Sequence, residues 1–288
     1  MARLYLAPAK INLTLEVLAR REDGYHTLRS VMVPLALGDE LAIEPAAAFS
    51  FVCSRDELAG DDNLVVRAAR ALGALPAARL ELRKAIPMQA GLGGGSSDAA
   101  AVLRAAMDGA FGETPPRDWP AIARALGSDV PFFLAGTGAL VEGTGERVTP
   151  LGALPPWHVI VIKPPAAVST AHAYALLDER SQPSRARAGS VSLSVAEALQ
   201  RGDFSGVEAG LSNDFQEVAI AMAAPIGQSL EALRAAGARN ALLAGSGSCV
   251  FSLAPDRATI ERIAERLALP AAYDRFVTAF AQTPDWRT

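Results

Sequence analysis

Residues 87–100, "PMQAGLGGGSSDAA", decide how the rest of this sequence is interpreted. Four of the five residues at 91–95 are glycine, and two serines and an aspartate follow before an apolar helical pattern begins. Glycine lets a ligand approach the backbone closely, and successive backbone N–H groups at the start of a helix attract anions. The stretch therefore predicts a phosphate-binding loop, and a tight strand-to-helix turn without a ligand is the alternative.

The two best-known nucleotide-binding motifs do not match this loop. A P-loop needs a lysine directly after its last glycine, and serine stands there instead. A dinucleotide fingerprint needs G-x-G-x-x-G with an acidic residue further on, and that pattern is not matched either. Ser96 and Ser97 can offer hydroxyls to a phosphate or to its metal ion, and Asp98 can be an ordinary charge of the first helical turn.

The composition limits the possible classes of function. The chain has 288 residues, half of them apolar, which is enough for one large or two medium domains. A net charge of −4 argues against a general binder of nucleic acids or membrane surfaces. Apolar runs are far shorter than the roughly 20 residues that span a bilayer, so we expect a soluble, cytoplasmic protein. Two cysteines far apart in sequence predict neither a disulfide framework nor a zinc site.

Lysine is scarce in this chain. Only three of the 27 cationic residues are lysine, namely Lys10, Lys84 and Lys163, and arginine supplies the rest. A lysine retained against this preference suggests a position that needs a compact ammonium group rather than a planar guanidinium.

The hydrophobic periodicity predicts an α+β chain in two units. Residues 10–17, "KINLTLEV", alternate between apolar and polar, which predicts a half-buried strand with Lys10 and Asn12 side by side on its polar face. Further strands are predicted at residues 28–35, 40–43, 79–83, 241–244, 249–253 and 275–278. Helices are predicted at residues 63–72, 96–111 and 119–126. Prolines around residue 155 place a boundary there, which gives units 1–155 and 156–288.

The glycine loop resembles the phosphate loop of the GHMP kinases, the family of galactokinase, homoserine kinase, mevalonate kinase and phosphomevalonate kinase. "PAKINL" at residues 8–13 is similar to the first motif of the family, and "LLAGSGSCVFSL" at residues 242–253 is similar to the third, a glycine turn that packs near the phosphate loop. The resemblance implies the GHMP kinase fold, with an N-terminal ATP-binding unit resembling domain 2 of ribosomal protein S5 and a ferredoxin-like C-terminal unit. ATP and its acceptor are expected to meet between the units.

The same resemblance implies a catalytic pair. Asp129, in "GSDVPFFL", matches the aspartate that takes or orients the proton of the attacking hydroxyl, and Lys10 matches its partner lysine. From the residues alone, Asp129 can equally be a helix cap or a core acid, and Lys10 a solvated strand lysine.

ATP and Mg²⁺ are the cofactors that the resemblance implies, with Ser96 or Ser97 holding the metal and no further metal ligand assigned. Two of the implied ATP-binding residues also have a simpler interpretation, because Asn63 can cap the helix that follows it and Lys84 can be a strand-end lysine. The implied ATP-binding residues are Asn63, Leu64, Lys84, Pro87, Gly91, Leu92, Gly93, Gly94, Gly95, Ser96 and Ser97.

Other segments resemble one group within the family, which phosphorylates the tertiary 2-hydroxyl of a cytidine-diphosphate-linked methylerythritol in non-mevalonate isoprenoid biosynthesis. These segments are residues 21–26 "REDGYH", 127–134 "GSDVPFFL", 168–174 "VSTAHAY" and 212–215 "SNDF". The resemblance implies that Tyr25 and Tyr174 stack on the two faces of cytosine and that His26 hydrogen-bonds its edge. It also assigns Thr170 and Asn12 to the substrate. The residues alone fit Tyr174 as an inward-packing helix residue.

Two other functions stay open at this point. One is a GHMP kinase with a different acceptor, against which the acceptor-side segments "REDGYH" and "VSTAHAY" argue. The other is a non-catalytic nucleotide-binding protein on the same scaffold, against which the presence of both Lys10 and Asp129 argues. The expected partner is a small molecule rather than a nucleic acid or a membrane, and the oligomeric state is not predicted.

Overall fold

Two long antiparallel strands form the centre of the larger sheet in the computed structural model, which describes residues 2–73, 75–112, 117–180 and 190–282. These strands are β1 (Arg3–Arg20) and β2 (His26–Pro45), and their pairing is irregular near Lys10, Thr14 and Ala19. The sheet also contains β3 (Ser50–Cys53), β4 (Ala78–Arg83), β5 (Ala139–Gly143), β6 (Arg147–Pro150) and a short β8 (Ser212–Asn213). The strand order is β3-β4-β2-β1-β8, with β5 pairing to β2 and β6 pairing to β5.

The smaller sheet has four antiparallel strands. They are β7 (His158–Lys163), β9 (Leu242–Leu243), β10 (Val250–Ala254) and β11 (Asp274–Ala279). Their order is β11-β7-β10-β9, so the two strands in the middle come from distant parts of the chain.

Helices cover both sheets. Four belong to the first half of the chain, namely α1 (Leu64–Ala71), α2 (Gly94–Met107), α3 (Trp119–Leu126) and α4 (Val130–Ala135). The others are α5 (Thr170–Arg180), α6 (Val191–Gln200), α7 (Phe204–Gly210), α8 (Gln216–Met222), α9 (Ala224–Ala235) and α10 (Arg257–Arg266). A 3₁₀ turn covers Asp56–Leu58.

Helix α2 is anchored in the core because small side chains line it. Every residue from 97 to 106 is buried, and five of these ten residues are alanine. Alanine has the highest helix propensity and lets neighbouring elements approach closely. The glycine loop that precedes α2 is therefore attached to one of the best-packed elements of the molecule.

One apolar cluster joins the two sheets. It contains Ile11 of β1, Val161 of β7 and Phe251 of β10, all fully buried. Leu35 and Phe280 also form a backbone bridge between β2 and the end of the described chain. The two halves of the chain thus share a core, and their division at residues 155/156 stays a prediction.

Most of the predicted elements are present. Helix α3 has the predicted bounds, α1 is one residue shorter than predicted at each end, and β4 begins one residue earlier than predicted. The predicted strands near residues 241–244, 249–253 and 275–278 correspond to β9, β10 and β11. The predicted α+β class is confirmed.

Three predictions were wrong in detail. Residues 28–35 and 40–43 lie in the single strand β2, which continues through the polar residues between them because it pairs with β1 on one side and with β4 and β5 on the other. Strand β1 is not half-buried, since its polar side chains are buried with hydrogen-bonding partners. Helix α2 ends at Met107 instead of residue 111, because Gly109 adopts a left-handed conformation.

Gly91 shows why the loop before α2 needs glycine. Its φ is +75°, and a Cβ atom there would overlap the carbonyl oxygen of Ala244. The glycine loop therefore touches the turn formed by residues 244–248, backbone against backbone.

We expect Gly91→Ala to lower the free energy of unfolding by more than Gly152→Ala. Gly152 has a similar φ of +85° but no atom within 4 Å of the added Cβ. Left-handed strain alone costs about 1–2 kcal/mol, and the overlap at Gly91 adds about 1–3 kcal/mol. Urea unfolding of both variants measures the difference, and equal losses would contradict a contact between the two turns.

Candidate active site

A cavity of about 1560 Å³ lies where β1, the glycine loop, helix α5 and the turn at residues 244–248 meet. Both halves of the chain contribute to its walls. Nine of the residues predicted for the site line it, namely Lys10, Asn12, Tyr25, His26, Gly91, Gly93, Asp129, Thr170 and Tyr174.

Backbone hydrogen bonds connect the three segments that carry the family motifs. The N–H of Lys10 donates to the carbonyl oxygen of Leu92 (2.9 Å), and the N–H of Cys249 donates to that of Ala90 (3.1 Å). The glycine loop is therefore held between the first motif and the third. This arrangement agrees with the predicted packing of the third motif near the phosphate loop.

Lys10 and Asp129 form an ion pair at the cavity wall. Lys10 Nζ lies 3.6 Å from Asp129 Oδ2, and the Lys10 side chain is 5% exposed while that of Asp129 is 34% exposed. Asp129 stands directly before α4, yet its side chain makes no capping hydrogen bond. The Asp129 carboxylate thus lines the cavity, and the more deeply buried ammonium group of Lys10 pairs with it.

Asn12 and Ser30 hold the Lys10 ammonium in place. Lys10 Nζ donates to Asn12 Oδ1 (2.8 Å), and Asn12 Nδ2 donates to Ser30 Oγ (2.8 Å). Ser30 Oγ in turn donates to the carbonyl oxygen of Thr14 (2.6 Å). Asn12, predicted to contact the substrate, is a cavity residue that also positions the lysine.

The glycine loop ends in a helix N-terminus suited to an anion. Gly93 is the N-cap of α2 with φ 74°, and no side chain caps this helix. Gly94 and Gly95 follow as its first residues, and Gly95 is exposed. Helix N-terminal N–H groups without a capping side chain are available to a bound phosphate.

The two serines after the glycines differ in accessibility. Ser97 is 1% exposed, and its Oγ has no hydrogen-bond partner among the described residues. Ser96 is half-buried, and its Oγ lies 3.5 Å from the β position of Gly127, beside the segment that carries Asp129. Of the two serines, Ser96 is the one that a ligand can reach.

Four of the predicted ATP-binding residues take structural positions around the loop, namely Pro87, Leu92, Asn63 and Leu64. Pro87 is half-buried, and Leu92 is 1% exposed, so its side chain belongs to the core. Leu64 Cδ1 lies 3.3 Å from the β position of Gly95. The Asn63 side chain accepts from Val65 N–H at 2.8 Å and so caps α1. Their assignment to ATP stays a prediction.

Lys84 lies beneath the loop in a buried ionic cluster. Its Nζ is 2.5 Å from both Asp39 Oδ2 and Asp98 Oδ2, and these three side chains are almost fully buried. Asp39 Oδ1 also accepts from the N–H groups of Ala85 (2.5 Å) and Ile86 (2.8 Å). Asp98 is therefore not an ordinary charge of the first helical turn, and Lys84 is not a solvated strand-end lysine.

Burial and neighbouring charges shift the pKa values in this cluster. Burial lowers the pKa of Lys84, but the carboxylates of Asp98 and Asp39 outweigh this effect, so the pKa is raised overall. Burial raises the pKa of Asp98, Lys84 lowers it and Asp39 raises it again, with a net value of about 7. The cluster thus holds one cation between two acids, one of which resists ionisation.

The predicted acceptor side brings three aromatic residues together. His26 and Tyr174 stack with ring centroids 4.7 Å apart and an interplanar angle of 17°. Tyr174 also meets Phe215 edge to face at 4.8 Å. Tyr25 is 68% exposed at the cavity rim. One face of Tyr174 therefore lies against His26, while Tyr25 is open to a ligand.

Sequence reasoning missed two polar residues of this side. Asp178 Oδ1 lies 2.7 Å from His26 Nε2, and Ser246 Oγ lies 2.8 Å from Thr170 Oγ1. Thr170, Tyr174 and Asp178 recur every four residues on α5, so they share one helix face. That spacing is visible in the sequence and points to Asp178. Ser246 stands inside the third motif.

Comparisons with known proteins identify the family. The models for the GHMP kinase N-terminal domain and C-terminal region match residues 63–137 and 195–271. A crystal structure of 4-(cytidine 5'-diphospho)-2C-methyl-D-erythritol kinase is 38% identical, with a TM-score of 0.78 over 96% of this chain and 99% of that one. A crystal structure of L. major mevalonate kinase is 16% identical, with a TM-score of 0.68 over 97% of this chain and 96% of that one, and has the same fold.

The chain belongs to the GHMP kinase family, and it is a phosphotransferase with the fold of that family. As in that family, ATP is the phosphoryl donor. Among its sequence relatives, 4-diphosphocytidyl-2-C-methyl-D-erythritol kinase of Deinococcus radiodurans is 45% identical, covering 92% of this chain and 88% of that protein. The enzyme of the same name from Pelotomaculum thermopropionicum is 41% identical, covering 91% and 92%.

Within residues 2–73, 75–112, 117–180 and 190–282, there is no group of three or more His, Cys, Asp or Glu side chains placed to hold a metal ion. In the same part of the chain, every helix is too short or too polar to cross a membrane.

The raised pKa of Asp98 predicts a pH-dependent effect of Asp98→Asn. The folded protein binds a proton at Asp98 up to about pH 7, whereas the unfolded chain loses it near the ordinary aspartate pKa. The stability that Asp98 contributes to the wild type is therefore lost between about pH 4 and 7, by on the order of 1 kcal/mol per pH unit, and the variant lacks this loss. Urea unfolding at pH 5, 6, 7 and 8 measures this difference.

Asp61→Asn is the matched control, because the Asp61 side chain is 84% exposed. Its difference from wild type is expected to be the same at every pH. A difference between wild type and Asp98→Asn that is likewise constant with pH would contradict a buried acid with a raised pKa.

Proposed function

We propose that this protein is an ATP-dependent kinase that phosphorylates the 2-hydroxyl of 4-diphosphocytidyl-2-C-methyl-D-erythritol. The observation that carries the proposal is one cavity that holds both the Lys10–Asp129 pair and the His26–Tyr174 pair. The first pair suits transfer to a hydroxyl, and the second suits a flat base. The names of the relatives supply the identity of the acceptor.

In this proposal the oxygen of the acceptor hydroxyl bonds to the γ-phosphorus of ATP, and Asp129 receives the proton of that hydroxyl. The bond between that phosphorus and the bridging oxygen breaks, and ADP leaves. Lys10, 3.6 Å from the carboxylate, compensates negative charge on the reacting groups. Phosphoryl transfer depends mainly on such positioning and on charge compensation.

The α2 N-terminus is the proposed site for the ATP phosphates. Gly93, Gly94 and Gly95 present backbone N–H groups, and the helix dipole favours negative charge there. Leu64, next to Gly95, is proposed to border the adenosine together with Asn63. Lys84 acts in this proposal by holding the loop from below rather than by touching ATP.

Mg²⁺ fits the residues present, because Mg²⁺ is commonly held by few protein ligands together with substrate phosphates. Ser96 is the reachable hydroxyl at the start of α2, and Asp129 is the nearby carboxylate that faces the cavity. The metal, when bound, neutralises charge on the transferred phosphoryl group.

The cytosine ring is proposed to lie near His26, with Tyr25 covering it from the rim. Thr170 is placed to contact the rest of the acceptor. We further propose that the enzyme works in the cytoplasm on small molecules, and not on nucleic acids, and that its two units divide at residues 155/156.

Acceptor-dependent release of ADP tests this function. We expect ADP release with ATP and 4-diphosphocytidyl-2-C-methyl-D-erythritol, and little with ATP alone. A panel containing homoserine, mevalonate and galactose tests the alternative acceptors. A higher kcat/KM for any of these would overturn the acceptor assignment, and ATP binding without turnover of any acceptor would indicate a non-catalytic protein.

Asp129→Ala and Asp129→Asn are expected to lower kcat by about 10²–10⁴-fold, because each removes the proton acceptor. The fold should persist, since the Asp129 side chain is one-third exposed. Steady-state kinetics and urea unfolding measure the two effects. Glu197→Gln, which alters a 71% exposed side chain on α6, serves as the control. Near-normal turnover by a folded Asp129 variant would remove Asp129 from the mechanism.

Tyr25→Ala is expected to raise the KM for the cytidine-linked acceptor by about 5- to 100-fold, because stacking on a base contributes about 1–3 kcal/mol. The KM for ATP and the free energy of unfolding should stay unchanged, since the side chain is 68% exposed. Kinetics with each substrate varied in turn measure the effect. An unchanged acceptor KM would exclude Tyr25 from base binding.

A further inference from the structure

Asp178 has no assigned role, yet it makes a short contact with a proposed base-binding residue. His26 Nε2 lies 2.7 Å from Asp178 Oδ1, and the His26 side chain is 8% exposed while that of Asp178 is 35% exposed. The other carboxylate oxygen of Asp178 lies 3.7 Å from Arg20 Nη1. The ring nitrogen that faces Asp178 is therefore committed to a partner within the protein.

Tyr174 fixes the plane of the same imidazole. The two rings are nearly parallel, at 17°, with centroids 4.7 Å apart, and Phe215 supports Tyr174 edge to face. A base that hydrogen-bonds the edge of His26 within its plane would therefore also lie parallel to Tyr174. The stack and the hydrogen bond together leave the His26 ring one orientation.

The contact with Asp178 also decides which nitrogen carries the proton. A carboxylate only accepts hydrogen bonds, so Nε2 must carry the proton that it donates. In a neutral imidazole the other nitrogen, Nδ1, is then an acceptor. Nδ1 makes no hydrogen bond to any residue in the described part of the chain, and His26 lines the cavity.

We propose that Asp178 is a positioning residue that makes His26 select cytosine over uracil; this inference rests on the proposed function. Cytosine carries an exocyclic amine that donates to Nδ1. Uracil carries a carbonyl oxygen at the same position, which would face Nδ1 as a second acceptor. An acceptor opposed to an acceptor in a partly buried site leaves both unsatisfied.

The kinetic test compares cytidine- and uridine-diphosphate-linked methylerythritol as acceptors. We expect the wild type to prefer the cytidine compound by at least about 100-fold in kcat/KM, because the uridine compound would leave two facing acceptors unsatisfied. Asp178→Ala should raise the KM for the cytidine compound and reduce the preference to about 10-fold or less. The KM for ATP should not change, whereas a general structural defect would alter the KM for both substrates.

Two further variants make the comparison specific. Asp178→Asn retains a side-chain oxygen that can accept from Nε2–H, so its preference should lie between those of wild type and Asp178→Ala. Glu179→Ala is the matched control, because Glu179 is the next residue on α5 and is exposed. It should keep the wild-type preference.

A spectroscopic test reads the tautomer directly. The chain has only three histidines, His26, His158 and His172, so ¹⁵N NMR of labelled protein with His26→Gln for assignment resolves the His26 signals. We expect Nε2–H in the wild type and loss of that preference in Asp178→Ala.

An Nδ1–H or doubly protonated ring in the wild type, or an unchanged base preference in Asp178→Ala, would overturn the inference. Failure of the proposed function would look different, because the wild type itself would then release no ADP with the cytidine compound.

Discussion

Two glycine turns meet backbone to backbone, and the site depends on this contact. Gly91 leaves no room for a side chain against Ala244, and Gly245 leaves none against Gly91 or the ammonium of Lys10. The segments are about 150 residues apart in sequence, so the contact forms only when both halves of the chain are in place. It brings the α2 N-terminus to Lys10 and brings the start of α5 to the same cavity through Thr170 and Ser246.

Two buried lysines serve different purposes because their carboxylate partners differ in exposure. Lys84 lies between Asp39 and Asp98, all three buried, so its charge is satisfied inside the protein and stabilises the loop above it. Lys10 has one carboxylate partner among the described residues, Asp129, whose side chain is one-third exposed. A buried lysine whose acidic partner is exposed can interact with the charges of a bound substrate. A fully buried ionic cluster mainly fixes the position of the backbone around it.

Much of this site, but not all of it, could be predicted from the sequence. Local signals predicted α1, α3 and β4, since each is marked by periodicity and flanking residues. The alternation in residues 10–17 correctly put Lys10 beside Asn12, and their hydrogen bond is 2.8 Å. It could not show that this polar face is buried, because burial depends on α6 and on the loop at Leu92, which are distant in sequence.

The cluster of Asp39, Lys84 and Asp98 could not be predicted either, because its members meet only through tertiary packing. Asp39 is 45 residues from Lys84, and nothing in its local sequence marks it as a partner. Asp178 was different, because its spacing from Thr170 and Tyr174 on α5 was readable. Periodicity places side chains on a common face, but only tertiary packing shows what that face meets.

The exposure of Tyr25 has a thermodynamic consequence. Its ring is 68% exposed at the rim of the cavity. An acceptor that covers this ring removes apolar surface from water, and such burial gives a negative change in heat capacity. Acceptor binding should therefore become more exothermic as the temperature rises. A phosphate bound by the backbone N–H groups at α2 covers no comparable aromatic surface, so binding of inorganic phosphate there should lack this calorimetric signature.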